Sequence, residues 1–439
     1  MKEKCVFKES GIAWLGKIPK HWEVVRLKYL AKKVFGGGTP DTSISSYWAT
    51  EQTNSYLWVS IEDMTESGFI QNTKKYITEK GLQSSSAKIV PPFSILYSIY
   101  ASLGKIAYSN KFLTTNQAIL AIQTREYLFY KFLFYYLYSS TKNIIALSSM
   151  TTQNNINLSI VQNLKIPLPP LKEQKAIADF LDKKCELIEE FIIKKEQLIT
   201  LLEEKKQALI NEVVSKGLNK NAKFKESGID YLGQIPTHWE VRRLANFGIF
   251  LKGGNISRND LTDEGESVIL YGDIYTKYEI KTHFLESKVS KEASALAIPI
   301  YKGDILLSGS GETKEDIGKS IVYLGDNKAF AGGDVIIFRQ KENDSLFLSY
   351  ALNTQYAKFY RYIESKGEII VHIYASNLRD IKIPLPPLEE QKAIATYLDT
   401  QTQRISSIIT KIKAQIKLMR EYKSSLISEA TCGRMGKVV

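Results

Sequence analysis

Part of this chain is written twice. Residues 7–27, FKESGIAWLGKIPKHWEVVRL, return as FKESGIDYLGQIPTHWEVRRL at 224–244, 217 positions later, with 16 of 21 residues identical. KIPLPPLKEQKAIADFLD at 165–182 returns with the same offset at 382–399 and differs at three positions. Between these landmarks lie stretches of equal length whose sequences have almost nothing in common. Matching landmarks at a fixed spacing require matching structural units, so a duplicated frame carries two different inserts.

Residues performing one chemistry in both halves would sit in the repeated segments. Those segments read as turns and helix, while the inserts differ. The frame therefore reads as assembly and the inserts as selectivity. At 439 residues the chain is long enough for two or more cores of ordinary size, and the duplication supplies the cut. A net charge of +12 favours a polyanionic partner such as DNA or RNA. Cys5, Cys185 and Cys432 are scattered with no Cys-x-x-Cys pair, so a reducing cytoplasm is the expected setting. The opening MKEKCVFKES lacks an apolar signal core. The most apolar run, 127–138, is too short to span a bilayer and contains Lys131; it reads as a core helix.

Each copy has the same order of parts. Gly-Lys-Ile-Pro at 16–19, or Gly-Gln-Ile-Pro at 233–236, predicts a proline-fixed turn leading to an apolar anchor and a short strand, with Trp22 and Trp239 packed inside. Glycine clusters follow at 36–38 and 253–254, at the same 217 offset, where positive φ or close backbone approach is expected. Buried strands are expected at 94–98, 118–122, 304–308 and 335–338. Their offset slips to 210 and recovers to 217, the mark of one fold with different loops.

Pro-Leu-Pro-Pro-Leu then forms a stiff extended lead-in to a long helical pattern. Leu181, Cys185, Ile188, Ile192, Ile199, Leu202, Leu209 and Val213 follow steps of three and four, interrupted by Lys195 and Lys206. Leu398, Ile405, Ile409, Ile412, Ile416, Met419, Leu426 and Ala430 keep the same register, interrupted by Thr402 and Lys423. About five heptads predict a coiled-coil seam, on helices of about 40 residues and roughly 60 Å. Each stripe needs a partner, and the other copy is the nearest.

Two variable domains, each followed by IPLPPLxEQxxIAxxLD and a long helix, resemble the specificity subunit of type I restriction-modification systems. The resemblance covers essentially the whole chain. It rests on residues 166–170, Glu173, Gln174, Ile177, Ala178 and Leu181, on 383–387, Glu390, Gln391, Ile394, Ala395 and Leu398, and on Trp22, Glu23, Trp239 and Glu240. It implies an α+β protein with two α/β target recognition domains in tandem, at 1–164 and 219–381. The proline lead-ins with their helices fall at 165–218 and 382–439, and the helices pair as an antiparallel coiled coil. It also implies that each insert reads one half of a split, asymmetric DNA site, while the helices set the gap and dock two methyltransferase subunits. Two translocase-nuclease subunits would join for cleavage. S-adenosylmethionine, ATP and magnesium would belong to those partners and no cofactor to this chain. A coiled-coil adaptor without sequence-selective DNA binding, and a self-contained DNA-modifying enzyme, are the alternatives.

The enzyme alternative finds only near-misses. Val90-Pro91-Pro92-Phe93 resembles the Asn/Asp-Pro-Pro-aromatic motif of adenine methyltransferases, but valine cannot hydrogen-bond a flipped base; a turn into a strand is expected. Phe35-Gly36-Gly37-Gly38-Thr39 lacks the last glycine of a Phe-x-Gly-x-Gly loop. Gly318-Lys319-Ser320 ends like a phosphate loop, but Thr313 stands where the first glycine belongs. His21, His238, His283 and His372 are far apart, so no metal site or triad is expected. Base readout needs donors and acceptors on loops. The candidates are Thr39, Lys74, Lys75, Thr151, Thr152, Gln153, Asn154 and Asn155 in the first insert, and Lys252, Asn255, Arg258, Lys314, Lys366 and His372 in the second.

Overall fold

The computed structural model describes residues 6–51, 53–65, 68–100, 102–148, 156–229, 231–315, 317–368 and 370–435. The chain divides into two compact units, one made of residues 1–195 with 414–439 and the other of 196–413.

In the first unit, Ala31–Gly36, Ile119–Thr124, Ile95–Ser98 and Ile106–Tyr108 form an antiparallel sheet in that order. The two middle strands are continuous apolar runs because both faces are covered. A second sheet, ordered Leu113–Thr115, Ser55–Val59, Lys75–Thr78, Trp48–Ala49, adds its apolar face, and Leu57, Val59, Leu96, Ala107, Ile119 and Ala121 share one core. The helix expected at 127–138 runs from Tyr130 to Ser148, with Phe132, Leu133 and Leu137 fully buried.

In the second unit, Gly248–Lys252, Val335–Gln340, Ile305–Ser308 and Ser320–Tyr323 repeat that strand order, with Lys281–Thr282 added at the edge. The other sheet is ordered Leu261–Thr262, Lys288–Val289, Glu266–Ile269, Ala329–Ala331, Ile298–Ile300. Ala329–Ala331 runs parallel to its neighbour at 266–269, as Leu113–Thr115 does to 55–59. The inserts thus share a topology through different sequences. The offset of the middle strand is one less than the expected 217, since Ile119–Thr124 answers to Val335–Gln340. The glycine clusters shift likewise: Gly38 N–H donates to Thr115 O at 2.8 Å and Gly254 N–H to Ala331 O at 2.9 Å. None of Gly36, Gly37, Gly38, Gly253 or Gly254 has positive φ. Close approach explains all but Gly36, because a Cβ on Gly37 or Gly254 would strike the backbone of Thr115 or of Leu296.

The frame closes each insert at its base. Glu23–Arg26 pairs antiparallel with Lys165–Leu168, and Glu240–Arg243 with Lys382–Leu385. Leu27 N–H donates to Leu164 O at 2.8 Å and Leu244 N–H to Ile381 O at 3.0 Å, so the ends of each insert are adjacent. The expected turn begins at the proline, where Trp22 N–H donates to Pro19 O and Trp239 N–H to Pro236 O, both at 3.0 Å, but the residues before it are extended. Lys17–Pro19 and Gln234–Pro236 are strands paired with Phe7–Glu9 and Phe224–Glu226, and each proline, lacking a donor, takes the last position.

The long helices span Leu171–Lys216 and Leu388–Thr431. Within the second unit, Gly217, just past the first helix, lies against Trp239 and Glu390, while Lys206 Nζ donates to Ser406 Oγ at 2.8 Å. Receding along one helix advances along the other, so these halves run antiparallel. The first unit repeats this: Gly433, just past the second helix, lies against Trp22, which bonds Glu173, and Lys423 pairs with Glu189. Gly217 and Gly433 have φ of 73° and 70°, the left-handed geometry that ends helices. Leu181, Ile188, Ile192, Leu398, Ile405, Ile409, Ile412, Ile416 and Leu426 are buried, and Ile199, Leu202, Leu209 and Met419 half-buried.

Candidate nucleic-acid interface

Five side chains of the repeated segments hold each insert to its helix. Glu173 accepts from Trp22 Nε1 at 3.0 Å and lies 2.9 Å from His21 Nε2; Glu390 does the same with Trp239 at 3.1 Å and His238 at 2.9 Å. Both indoles are fully buried. Gln174, also fully buried, accepts from Phe129 N–H at 2.7 Å and donates to Tyr127 O and Pro169 O. Gln391 accepts from Asp344 N–H at 2.9 Å and donates to Asn343 Oδ1 and Pro386 O. Each glutamine thus holds the chain just ahead of an insert helix, Tyr130–Ser148 or Ser345–Leu352, while each glutamate holds the segment before the insert begins. Asp182 takes Lys131 and Tyr135 from a helix of the first insert, whereas Asp399 takes Lys281 from a strand of the second at 2.6 Å. One frame carboxylate thus serves two differently built inserts.

Some of the polar groups outside this frame lie near the glycine clusters. In the first unit Thr39 Oγ1 donates to Gln117 Oε1 beside Gly38. Trp58 Nε1 donates to Gly38 O at 3.0 Å, Trp58 faces Lys75 across the strands, and Lys75 lies over Trp48 at 5.6 Å. Thr39 and Lys75 are thereby brought to one region. Lys74 is exposed and paired with Glu62 at 3.0 Å. Thr151, Thr152, Gln153, Asn154 and Asn155 lie outside the described residues.

In the second unit, three candidates far apart in sequence converge. Lys252 Nζ stands 3.7 Å from Asp334 Oδ1; Asp334 Oδ2 accepts from Ser310 Oγ at 2.7 Å; Ser310 Oγ lies 2.8 Å from His372 Nδ1. Ser310–Gly311 pairs antiparallel with Val371–His372, and Lys366 and His372 exchange backbone hydrogen bonds at 2.9 and 2.7 Å. Among the described residues, no hydrogen bond joins Asn255, Arg258 or Lys314 to this chain of contacts, though Asn255 and Arg258 are exposed and Lys314 half-buried. Ser310, Asp334 and Gln117 were missed by sequence reasoning. The signal for Ser310 and Asp334 was short polar residues among glycines at 308–311 and 332–334, between apolar strands.

The sequence's near-misses have structural explanations. Val90 bridges to Leu113, and Phe93, at φ 63°, turns the chain into Ile95–Ser98. Gly318, at φ 71°, turns into Ser320–Tyr323, and Lys319 Nζ donates to Tyr275 O and Tyr278 O. Arg361 is fully buried and donates to Ile317 O and Leu352 O; burial pushes its guanidinium down to about 10. Burial raises the pKa of the Cys185 and Cys432 thiols, which are free. Among the described residues no group of three or more His, Cys, Asp or Glu is placed to hold a metal, and no helix is long and apolar enough to cross a membrane.

Residues 19–204 and 236–418 match the family model described as type I restriction modification DNA specificity domain. The chain is similar to the type I restriction enzyme MjaIX specificity subunit of Methanocaldococcus jannaschii, 26% identical over 98% of this chain and 96% of that one. The putative type I restriction enzyme MjaX specificity subunit of the same organism is 29% identical over 96% and 95%. Among solved structures, a chain from work on complex assembly and conformational transition of the type I R-M system superposes with a TM-score of 0.73 at 19% identity, covering 95% of this chain and 99% of that one. The HsdS subunit from Thermoanaerobacter tengcongensis gives 0.52 at 19% identity over 95% and 98%. These two likenesses concern the fold.

Proposed function

The chain belongs to the type I restriction modification DNA specificity family, and we infer that it is the non-catalytic subunit that directs a methylation and restriction complex to its DNA sequence. Family membership decides against the adaptor and self-contained enzyme alternatives. The observation that carries the reading further is the contrast between frame and insert. The Glu-Gln-Asp clamp is the same in both units, while the polar groups at the glycine clusters are Thr39–Gln117 in one and Lys252–Asp334–Ser310–His372 in the other. Identical clamps supporting different donors and acceptors suit two readers of different half-sites, since base edges are distinguished by donor and acceptor pattern.

In this reading the first insert reads one half of an asymmetric bipartite site and the second the other half. The exposed Lys74, Lys75, Lys252 and Lys366 favour the phosphate backbone, Thr39, Asn255, Arg258, Lys314 and His372 belong to the reading surface, and the run from Thr151 to Asn155 joins the first insert's contacts. The long helices set the gap and dock two methyltransferase subunits, with two translocase-nuclease subunits joining for cleavage. S-adenosylmethionine, ATP and magnesium are the partners' cofactors, and the assembly works in the cytoplasm on duplex DNA. Mapping methylated adenines genome-wide with and without this gene tests the reading. Loss of one bipartite, asymmetric motif is expected; an unchanged methylome in a host with active partner subunits would remove it.

A further inference from the structure

Ser310 Oγ carries one proton, and an ionised carboxylate can only accept. With Asp334 Oδ2 at 2.7 Å, that proton points to Asp334, whose other oxygen, Oδ1, lies 3.7 Å from Lys252 Nζ. The hydroxyl then has only a lone pair to offer His372, whose Nδ1 stands 2.8 Å away and must donate. In its neutral form His372 therefore holds its proton on Nδ1 and presents the bare Nε2 as an acceptor. Ser310 is 2% exposed and His372 half-buried, so the relay is anchored inside and ends at the surface. Every member lies in the second insert, where the two copies differ.

Resting on the reading of this chain as a DNA specificity subunit, we propose that His372 reads a base bearing an exocyclic amino group, adenine through N6 or cytosine through N4. An acceptor fixed by its tautomer matches those two donors and refuses guanine O6 and thymine O4, which are acceptors themselves. Ser310 and Asp334 are positioning residues. They hold the imidazole in one tautomer, and Lys366, held beside it by the backbone pair, supplies a charge for the neighbouring phosphate.

The test uses the complex reconstituted with its methyltransferase subunits and a pool of duplex DNA randomised across both half-sites, sequenced for methylated molecules. One position of one half-site should require adenine or cytosine. His372→Ala should lower the preference there by roughly tenfold, the scale of one hydrogen bond, with every other position unchanged. Ser310→Ala leaves the ring in place but frees its tautomer, so that position should broaden to admit guanine or thymine, a change that loss of packing alone would not produce. His372→Gln, whose amide also accepts, should retain the preference for adenine in part. If the wild type shows a sharp bipartite motif but His372→Ala or Ser310→Ala leaves every position as it was, His372 is not a tautomer-fixed reader, and the assignment falls while the specificity reading stands. A wild-type complex methylating without sequence preference sinks both.

Discussion

Glu173 and Glu390 show how much a single repeated residue settles. Each sits in the first turn of a long helix and accepts the indole N–H of a fully buried tryptophan, with a histidine at 2.9 Å on its other side. Removing the carboxylate leaves a buried donor unpaired, which costs about 1–3 kcal/mol. Glu173→Ala is expected to lower the stability of the first unit by that amount and Glu390→Ala that of the second, while Glu173→Gln, which retains an acceptor, loses about half as much. Urea unfolding of the single variants checks this, and a Glu173→Ala protein as stable as wild type would show the clamp to be incidental. Both landmarks were visible in the sequence, but not that they touch. The partners lie 151 and 152 positions apart, and no local periodicity links them. What Ser310 and Asp334 touch was hidden for the same reason: 24 and 62 positions separate Ser310 from its two partners.

At the scale of elements, the helices were the most legible part, because a stripe repeating every three or four residues has one structural meaning. The residues that break the stripe had to wait for the structure. Lys206 reaches Glu279 and Ser406, Lys423 reaches Glu189, and Thr402 meets the hydroxyl of Tyr350 at 2.9 Å. A second buried set, Ile210 and Val214 on one helix and Ile427 and Thr431 on the other, was also missed. Ile210 and Val214 share a core with Trp239 and Leu244 and with the stripe residues Val213 and Leu398, so this core joins the seam to the second insert's base. That placement decides where the spacer role can be tested. An insertion near Val213 would tear this core, whereas Glu203 and Glu204 are exposed. Four residues inserted between them add about 6 Å and a little over one full turn, while one residue adds about 100° of rotation and disrupts the stripe. With duplex DNA rising roughly 3.4 Å per base pair, the four-residue variant is expected to keep both half-sites and lengthen the unspecified gap by one or two base pairs. Methylome sequencing decides it: an active complex with an unchanged gap would mean that the helices do not set the distance.

For the whole molecule, the division of labour follows from where the chain is closed. The strand pair at 23–26 and 165–168 brings the ends of the first insert together and the pair at 240–243 and 382–385 those of the second, so each insert hangs from the frame as a closed loop. Such a loop can be replaced without moving the frame, provided it meets the frame's fixed groups: a backbone N–H for Gln174 or Gln391, and a cation for Asp182 or Asp399. The last requirement is loose, since Lys131 meets it from a helix and Lys281 from a strand. Exchanging residues 28–164 for the matching insert of a relative, with a lysine able to reach Asp182, is therefore expected to yield a folded chain whose complex changes one half of its methylated motif and keeps the other. The retained half should be the one relaxed by His372→Ala, because that residue lies in the insert left in place. A swapped chain that assembles but alters both halves, or neither, would show that the inserts do not read independently.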